Sequence, residues 1–178
     1  MSRHRSPERA NHFPPVLPPA ARTLILGSLP GVASLKAQQY YAHPRNAFWP
    51  IIAALAGLDT PPAPYAARLA LLDQLGLALW DVAASAERQA SADATMRRVE
   101  TGDFQTLYRR HPAICRVCFN GRTAETLYRR HVLPGLPEDI RTRLVHHPAL
   151  PSTSPAHAAM SLAEKKRKWL GVLKPESR

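Results

Sequence analysis

The sequence predicts an α/β fold: a three-layer α/β/α sandwich around a central four-stranded parallel sheet. Three observations predict it. Short apolar runs alternate along the chain with segments of helical spacing. Glycines close the helical segments. The unusual polar residues fall in the stretches that follow the apolar runs, as they do at the strand-to-helix edge of a parallel sheet.

The elements follow in order. Residues 1–20 form a basic, then proline-rich extension, with Phe13-Pro14-Pro15-Val16-Leu17-Pro18-Pro19 lying extended against a domain spanning 21–178. Residues 23–26 read as the first buried strand. The stretch 27–44 is too long and irregular for an ordinary turn and reads as a functional loop, with a helical turn near 34–39. Residues 46–56 have helical spacing of Phe48, Trp49, Ile52 and Leu55, stopped by Gly57. After the linker Pro61-Pro62-Ala63-Pro64, a helix over 65–75 ends at Gly76, and 77–80 form the second strand with Asp81 at its end. Residues 83–94 are small and polar and read as a surface loop, with Asp93 or Thr95 capping a helical turn. A helix over 103–111, a strand over 114–119, a helix over 123–131 and a strand over 143–147 follow. The loop 148–156 leads to a closing amphipathic helix over 161–173, whose Glu164-Lys165-Lys166-Arg167-Lys168 run reads as a solvated face.

Composition narrows the class of partner. The formal charge is +11, with 24 Lys and Arg against 13 Asp and Glu, which favours a polyanion. No apolar run approaches the about 20 residues that span a membrane, and the start of the chain lacks a signal-peptide core. A cytoplasmic protein is expected. Cys115 and Cys118 are the two cysteines. Their Cys-x-x-Cys spacing has no second pair to complete a four-cysteine site, and strand residues three apart face opposite sides, so both read as buried free thiols. His146-His147 has no carboxylate or cysteine partner nearby in sequence and is not read as a metal site.

The densest chemistry lies between residues 24 and 49. Gly27-Ser28-Leu29-Pro30-Gly31 is followed by Tyr40-Tyr41-Ala42-His43-Pro44-Arg45-Asn46-Ala47-Phe48-Trp49. Glycines allow close backbone approach, aromatics offer flat faces, and an amide both donates and accepts. This set suits a nucleobase held beside its phosphate. Right-handed crossovers bring residues 27–46, 81–93, Asn120-Gly121 and 150–157 to one sheet edge.

These motifs resemble the uracil-DNA glycosylase superfamily. Gly27-Ser28-Leu29-Pro30-Gly31 resembles its loop after the first strand. The stretch from Tyr41 to Trp49 is similar to the mismatch-specific uracil glycosylases, and Leu150-Pro151-Ser152-Thr153-Ser154-Pro155-Ala156 looks like the superfamily's second motif. Together they are most similar to the hypoxanthine (deoxyinosine) DNA glycosylase branch, over residues 23–169. Two positions depart from the main branches: Ser28-Leu29 stands where an Asp or Asn acts on water, and Leu150 where a histidine opens the second motif.

The resemblance implies a monofunctional DNA glycosylase that flips out a deaminated base, hypoxanthine first and then uracil or xanthine, and leaves an abasic site. It implies catalysis by Asn46 and Asn120 through positioning and electrostatics, without metal or other cofactor, and a monomer acting on DNA. Asn46 also reads as a helix N-cap and Asn120 as a turn residue before Gly121. Gly27, Ser28, Leu29, Tyr41, Phe48 and Asn120 are the expected base contacts, with Tyr41 the stacking ring and Phe48 second. Gly31, His43, Ser152, Thr153, Ser154 and His157 are the expected DNA-backbone contacts; His43 can equally brace its loop. Asp81 reads as a loop cap. Two other functions remain open at the sequence level: a damaged-DNA-binding module without catalysis, and a hydrolase of free nucleosides or esters, although no Gly-x-Ser-x-Gly elbow is present.

Overall fold

The computed structural model describes residues 13–87 and 97–174. Its centre is a parallel sheet in the order β2-β1-β5-β6, formed by β1 (Thr23–Gly27), β2 (Leu77–Asp81), β5 (Arg116–Phe119) and β6 (Val145–His146). The period of two along each strand divides the interior. Leu24 and Leu26 of β1 enter one core with Ala78, Trp80, Val117 and Phe119, whereas Ile25 enters the other with Leu77, Leu79 and Cys118. A sheet buried on both faces explains why its strands read as continuous apolar runs.

The helices cover both faces. One layer contains α2 (Phe48–Leu55), α3 (Tyr65–Leu75) and α7 (Leu162–Leu173); the other contains α4 (Phe104–Arg110), α5 (Arg122–His131) and α6 (Glu138–Arg143). Their ends follow local chemistry. Gly76 closes α3 at φ 65°, Asp103 accepts the Thr106 amide to start α4, and Ser161 with Glu164 forms a reciprocal capping box on α7. The segment from Phe13 lies against the domain: Val16 pairs antiparallel with Leu79, and Phe13 is buried. Both cysteines are free; Cys118 is buried as expected, whereas Cys115, just ahead of β5, is partly exposed, which corrects its expected burial.

Three readings of the sequence need correction. The start of the expected 83–94 loop is a strand, β3 (Ala83–Glu87), paired antiparallel with β4 (Arg97–Thr101). Its small and polar residues carry no apolar alternation, and its register shifts twice. Asp93 and Thr95 lie outside the described residues. Arg143 ends α6, which was not expected, and the last strand is only Val145–His146. The charged run on α7 is not wholly solvated, because Lys165 is buried with Trp169 and Leu173 one and two turns further on. Among the described residues, no helix is long and apolar enough to cross a membrane.

Candidate functional site

The sheet order places a crevice where it is most useful. The chain leaves β1 toward β2 on one side, and β5 toward β6 on the other. Between β1 and β5 the connections diverge, and ligands of open α/β sheets bind outside the carboxyl ends of the strands at such a point. An open cleft of about 1330 Å³ lies there. It is lined by residues of the 27–46 stretch, Asp81, the start of α5 and the 148–160 loop.

The floor is closely fitted. Gly27 stands opposite Asp81 in the β1–β2 register. A side chain at Gly27 would collide with Asp81 Oδ1 and meet Tyr41 Oη at 3.2 Å, so the absence of a Cβ is what lets these groups converge. Asp81 is buried and lines the cleft. Expected as a loop cap, it is instead part of the floor, set against Gly27. Its negative charge, after burial itself, raises the Tyr41 hydroxyl above the ordinary tyrosine range, while the nearby Asn120 amide opposes the shift. Tyr41 therefore remains neutral and cannot act as a base near neutral pH.

Tyr41 adopts a left-handed backbone at φ 54°, uncommon for a bulky residue and costly unless its surroundings hold it. They do. The Tyr40 carbonyl accepts the Trp49 indole at 2.9 Å, the Tyr40 amide donates to the Tyr65 hydroxyl at 3.1 Å, and the Ala42 amide donates to Ser34 Oγ at 3.2 Å. Tyr41 stacks on Phe48, with centroids 4.1 Å apart and planes at 26°. Phe48 is fully buried and absent from the cleft lining. This corrects its place among the base contacts: it backs Tyr41, which alone of the pair faces the cleft.

Both asparagines line the cleft. Asn46 Oδ1 accepts the Phe48 amide at 2.9 Å, one residue ahead of the N-cap of α2, which is Ala47 and not the expected Asn46; its amide nitrogen is left uncommitted among the described residues. Asn120, at the mouth of β5, is clasped at both ends of its amide. Its Nδ2 donates to Thr153 Oγ1 at 2.8 Å, and its Oδ1 accepts the Thr153 amide at 2.9 Å. Its other N–H is directed to the Tyr41 hydroxyl, and one acceptor direction remains on Oδ1. Gly121, at φ 92°, lets Ser152 pack against the chain immediately beyond.

That clasp relocates Thr153. Expected on the DNA backbone, it is only 1% exposed, and its carbonyl also accepts the Ala47 amide at 2.9 Å. It joins the 150–157 loop to β5 and α2 rather than reaching outward. Ser152 and Ser154 turn their hydroxyls to the amides two residues ahead, while His157 is exposed at the rim. His43 lines the cleft and braces its own loop, its Nδ1 accepting the Arg45 amide at 3.1 Å. That bond requires an unprotonated Nδ1. Ser28, Leu29 and Gly31 also line the cleft.

Sequence reasoning missed three parts of the wall. Arg122 and Glu125 come from the first turn of α5, and Lys168 from α7. Glu125 also holds the Ala149 amide at 3.0 Å and Arg129 at 2.9 Å. The signal for the α5 pair was available, because a helix starting just after Asn120-Gly121 must begin at the same edge. Among the described residues, no cluster of His, Cys, Asp and Glu could hold a metal ion.

A parallel sheet sandwich with amides and an aromatic ring at its switch point is a ligand-binding α/β fold. Comparison with known proteins assigns the class: the profile described as the Uracil DNA glycosylase superfamily matches residues 14–174, and the chain belongs to that superfamily as a DNA glycosylase. More particularly, it is similar to a hypoxanthine DNA glycosylase of Methanosarcina barkeri, 37% identical over 62% of this chain and 70% of the relative. It is also similar to one of Methanosarcina acetivorans, 38% identical over 63% and 71%. Its fold matches the solution NMR structure of a Methanosarcina acetivorans protein proposed as a uracil DNA glycosylase, with a TM-score of 0.77 and 32% identity over 93% of this chain and 97% of that one.

Proposed function

We propose that the protein is a monofunctional glycosylase for deaminated bases, hypoxanthine first, acting as a monomer on cytoplasmic DNA and leaving an abasic site. The observation that carries this is the meeting of Tyr41 and Asn46, from the stretch after β1, with Asn120, from the end of β5, in one cleft at the strand edge.

The flipped base lies on the Tyr41 ring, whose far side is already stacked on Phe48. Its lactam edge offers an N–H, which meets the acceptor direction left on Asn120 Oδ1, and a carbonyl, which competes with the Tyr41 hydroxyl for the second Asn120 N–H. Asn46 meets the sugar side and orients water toward the sugar carbon through its amide. The glycosidic bond breaks with its electron pair leaving on the base, as an anion held by hydrogen bonds; water adds to the oxocarbenium-like sugar and loses a proton. Fixed dipoles aimed at the developing charges supply the stabilisation. The backbone contacts are Gly31, His43, Ser152, Ser154 and His157.

Labelled duplexes carrying hypoxanthine, uracil or xanthine, followed by an alkaline step, test the reading with wild type, Asn46→Ala and Asn120→Ala. Hypoxanthine excision is expected, with losses of about 100-fold in each variant, the scale of one lost transition-state dipole. Borohydride added during turnover should trap no covalent adduct, although Lys168 lines the cleft. No product on any duplex would leave a damaged-DNA binder; turnover of free inosine would favour a nucleoside hydrolase; a trapped adduct would overturn the monofunctional assignment.

A further inference from the structure

A second, smaller cleft of about 320 Å³ lies beside the first. The two share Asn46, Pro155, His157 and Met160, so only the ridge of the 154–160 loop separates them. The second is lined by Arg45, His157 and Lys165 together with apolar surface from Met160, Leu162 and Pro50. No carboxylate is among its described lining residues.

Lys165 is the unusual member. It is only 5% exposed, and lysine is almost never this buried without a partner. It sits on the inner face of α7, in the row of Trp169 and Leu173. Among the described residues its ammonium has one hydrogen-bond contact, with the Ser154 carbonyl at 3.4 Å. That is longer than an ordinary hydrogen bond, and the same carbonyl already accepts the His157 amide at 3.0 Å. A group with three donors is thus held in a cleft with one poor acceptor. Burial lowers its pKa, the response of a cation taken from water without a counter-charge.

Bracing the loop does not account for this residue. Trp169 already fixes the same loop through a 2.9 Å bond from its indole to the Pro151 carbonyl, and a neutral side chain could fill the space without the desolvation cost. What the arrangement lacks is an anion. The nearest source is the strand entering the adjoining cleft, since flipping a nucleotide draws its neighbouring phosphate over the rim.

We propose that the second cleft is a phosphodiester subsite, in which Lys165, with Arg45 and His157 at its edge, holds the backbone phosphate next to the flipped nucleotide. Its apolar surface takes the sugar attached to that phosphate. The proposal rests on the DNA reading above, and it makes Lys165 a binding residue, not one that touches the reacting carbon.

The test is equilibrium binding, with excision measured alongside. A duplex with a non-cleavable 2′-fluoroarabino analogue of deoxyinosine is prepared with single methylphosphonates at successive phosphates on both sides of the lesion. Wild type should lose about 10-fold in affinity when one particular phosphate is neutralised, the worth of one charge-assisted bond. Lys165→Met should bind about 10-fold more weakly, lower the salt slope by about 1, and no longer respond to that methylphosphonate. Lys165→Arg should restore the response. Arg45→Met, changed at an exposed position, gives a smaller loss at the same phosphate without risk to the fold. If wild type excises hypoxanthine yet Lys165→Met and Arg45→Met keep its methylphosphonate pattern and salt slope, the subsite is wrong and the glycosylase reading stands. If millimolar inorganic phosphate raises the wild-type melting temperature while the methylphosphonate scan is flat, the cleft takes a free anion and the DNA assignment falls. If wild type neither excises nor binds, the glycosylase reading fails first.

Discussion

The two helical layers use aromatic residues differently. Beneath one face, Tyr108 and Tyr128 join their hydroxyls at 2.9 Å, and Phe104 and Phe119 pack against them. The polar ends satisfy each other inside the core. On the other face, the Trp49 indole holds the Tyr40 carbonyl, the Trp169 indole holds the Pro151 carbonyl, and the Tyr40 hydroxyl reaches the Pro14 carbonyl at 3.1 Å. There the polar ends tie down loops, and two of those loops line the cleft. Similar residues thus stabilise in one layer and position in the other.

Substitutions can break this contrast. The largest expected effect is Trp169→Phe. It removes the donor to Pro151 and leaves a buried acceptor unmet, costing about 1–3 kcal/mol of stability. Excision kcat/KM should fall by roughly 100-fold, the scale of a 1 Å misplacement, with melting and kinetics read on the same preparation. Tyr128→Phe should follow, with a similar or smaller loss of stability, about 1 kcal/mol, and unchanged kcat/KM. If Tyr128→Phe impaired excision as much as Trp169→Phe, the division of labour between the layers would be wrong.

The smallest effect concerns acid. His146 lies beside Tyr128, and its pKa falls below the ordinary 6.5, first through burial and then through Arg129. His147 shifts the same way, through burial and Arg116. A lowered histidine pKa means that the unfolded chain binds more protons. The stabilisation is therefore complete above about pH 6.5 and is lost as pH falls through the lowered native value. Melting temperatures should decline below that point, and His146→Gln should flatten the decline. A steeper decline in the variant would contradict the sign.

Much of the architecture was legible because its signals are local. Apolar runs marked the four parallel strands, Asp103 and Ser161 marked helix starts, and Gly57 and Gly76 marked ends. The β3–β4 pairing was not, since β3 reads Ala-Ala-Ser-Ala-Glu and carries no β-branched or aromatic residue. The candidate site was legible as a set of segments, because parallel topology sends every strand-to-helix loop to one edge. Directions within it were not. Helical spacing says that Phe48 is apolar, not whether it faces ligand or core. A run of five consecutive charged residues, 164–168, conceals that Lys165 belongs to the inner row. Thr153 in a polar loop gives no hint that its hydroxyl is committed to Asn120.

The double bond between Asn120 and Thr153 also bears on time. A repair protein must inspect a great many sound bases for each damaged one. A slot whose walls are joined in advance has met its ordering cost during folding, and does not meet it again at every inspection. No closure has to precede rejection. The pace of the search then belongs to the DNA, to how often a base leaves the stack, and the protein's share is to be ready when it does.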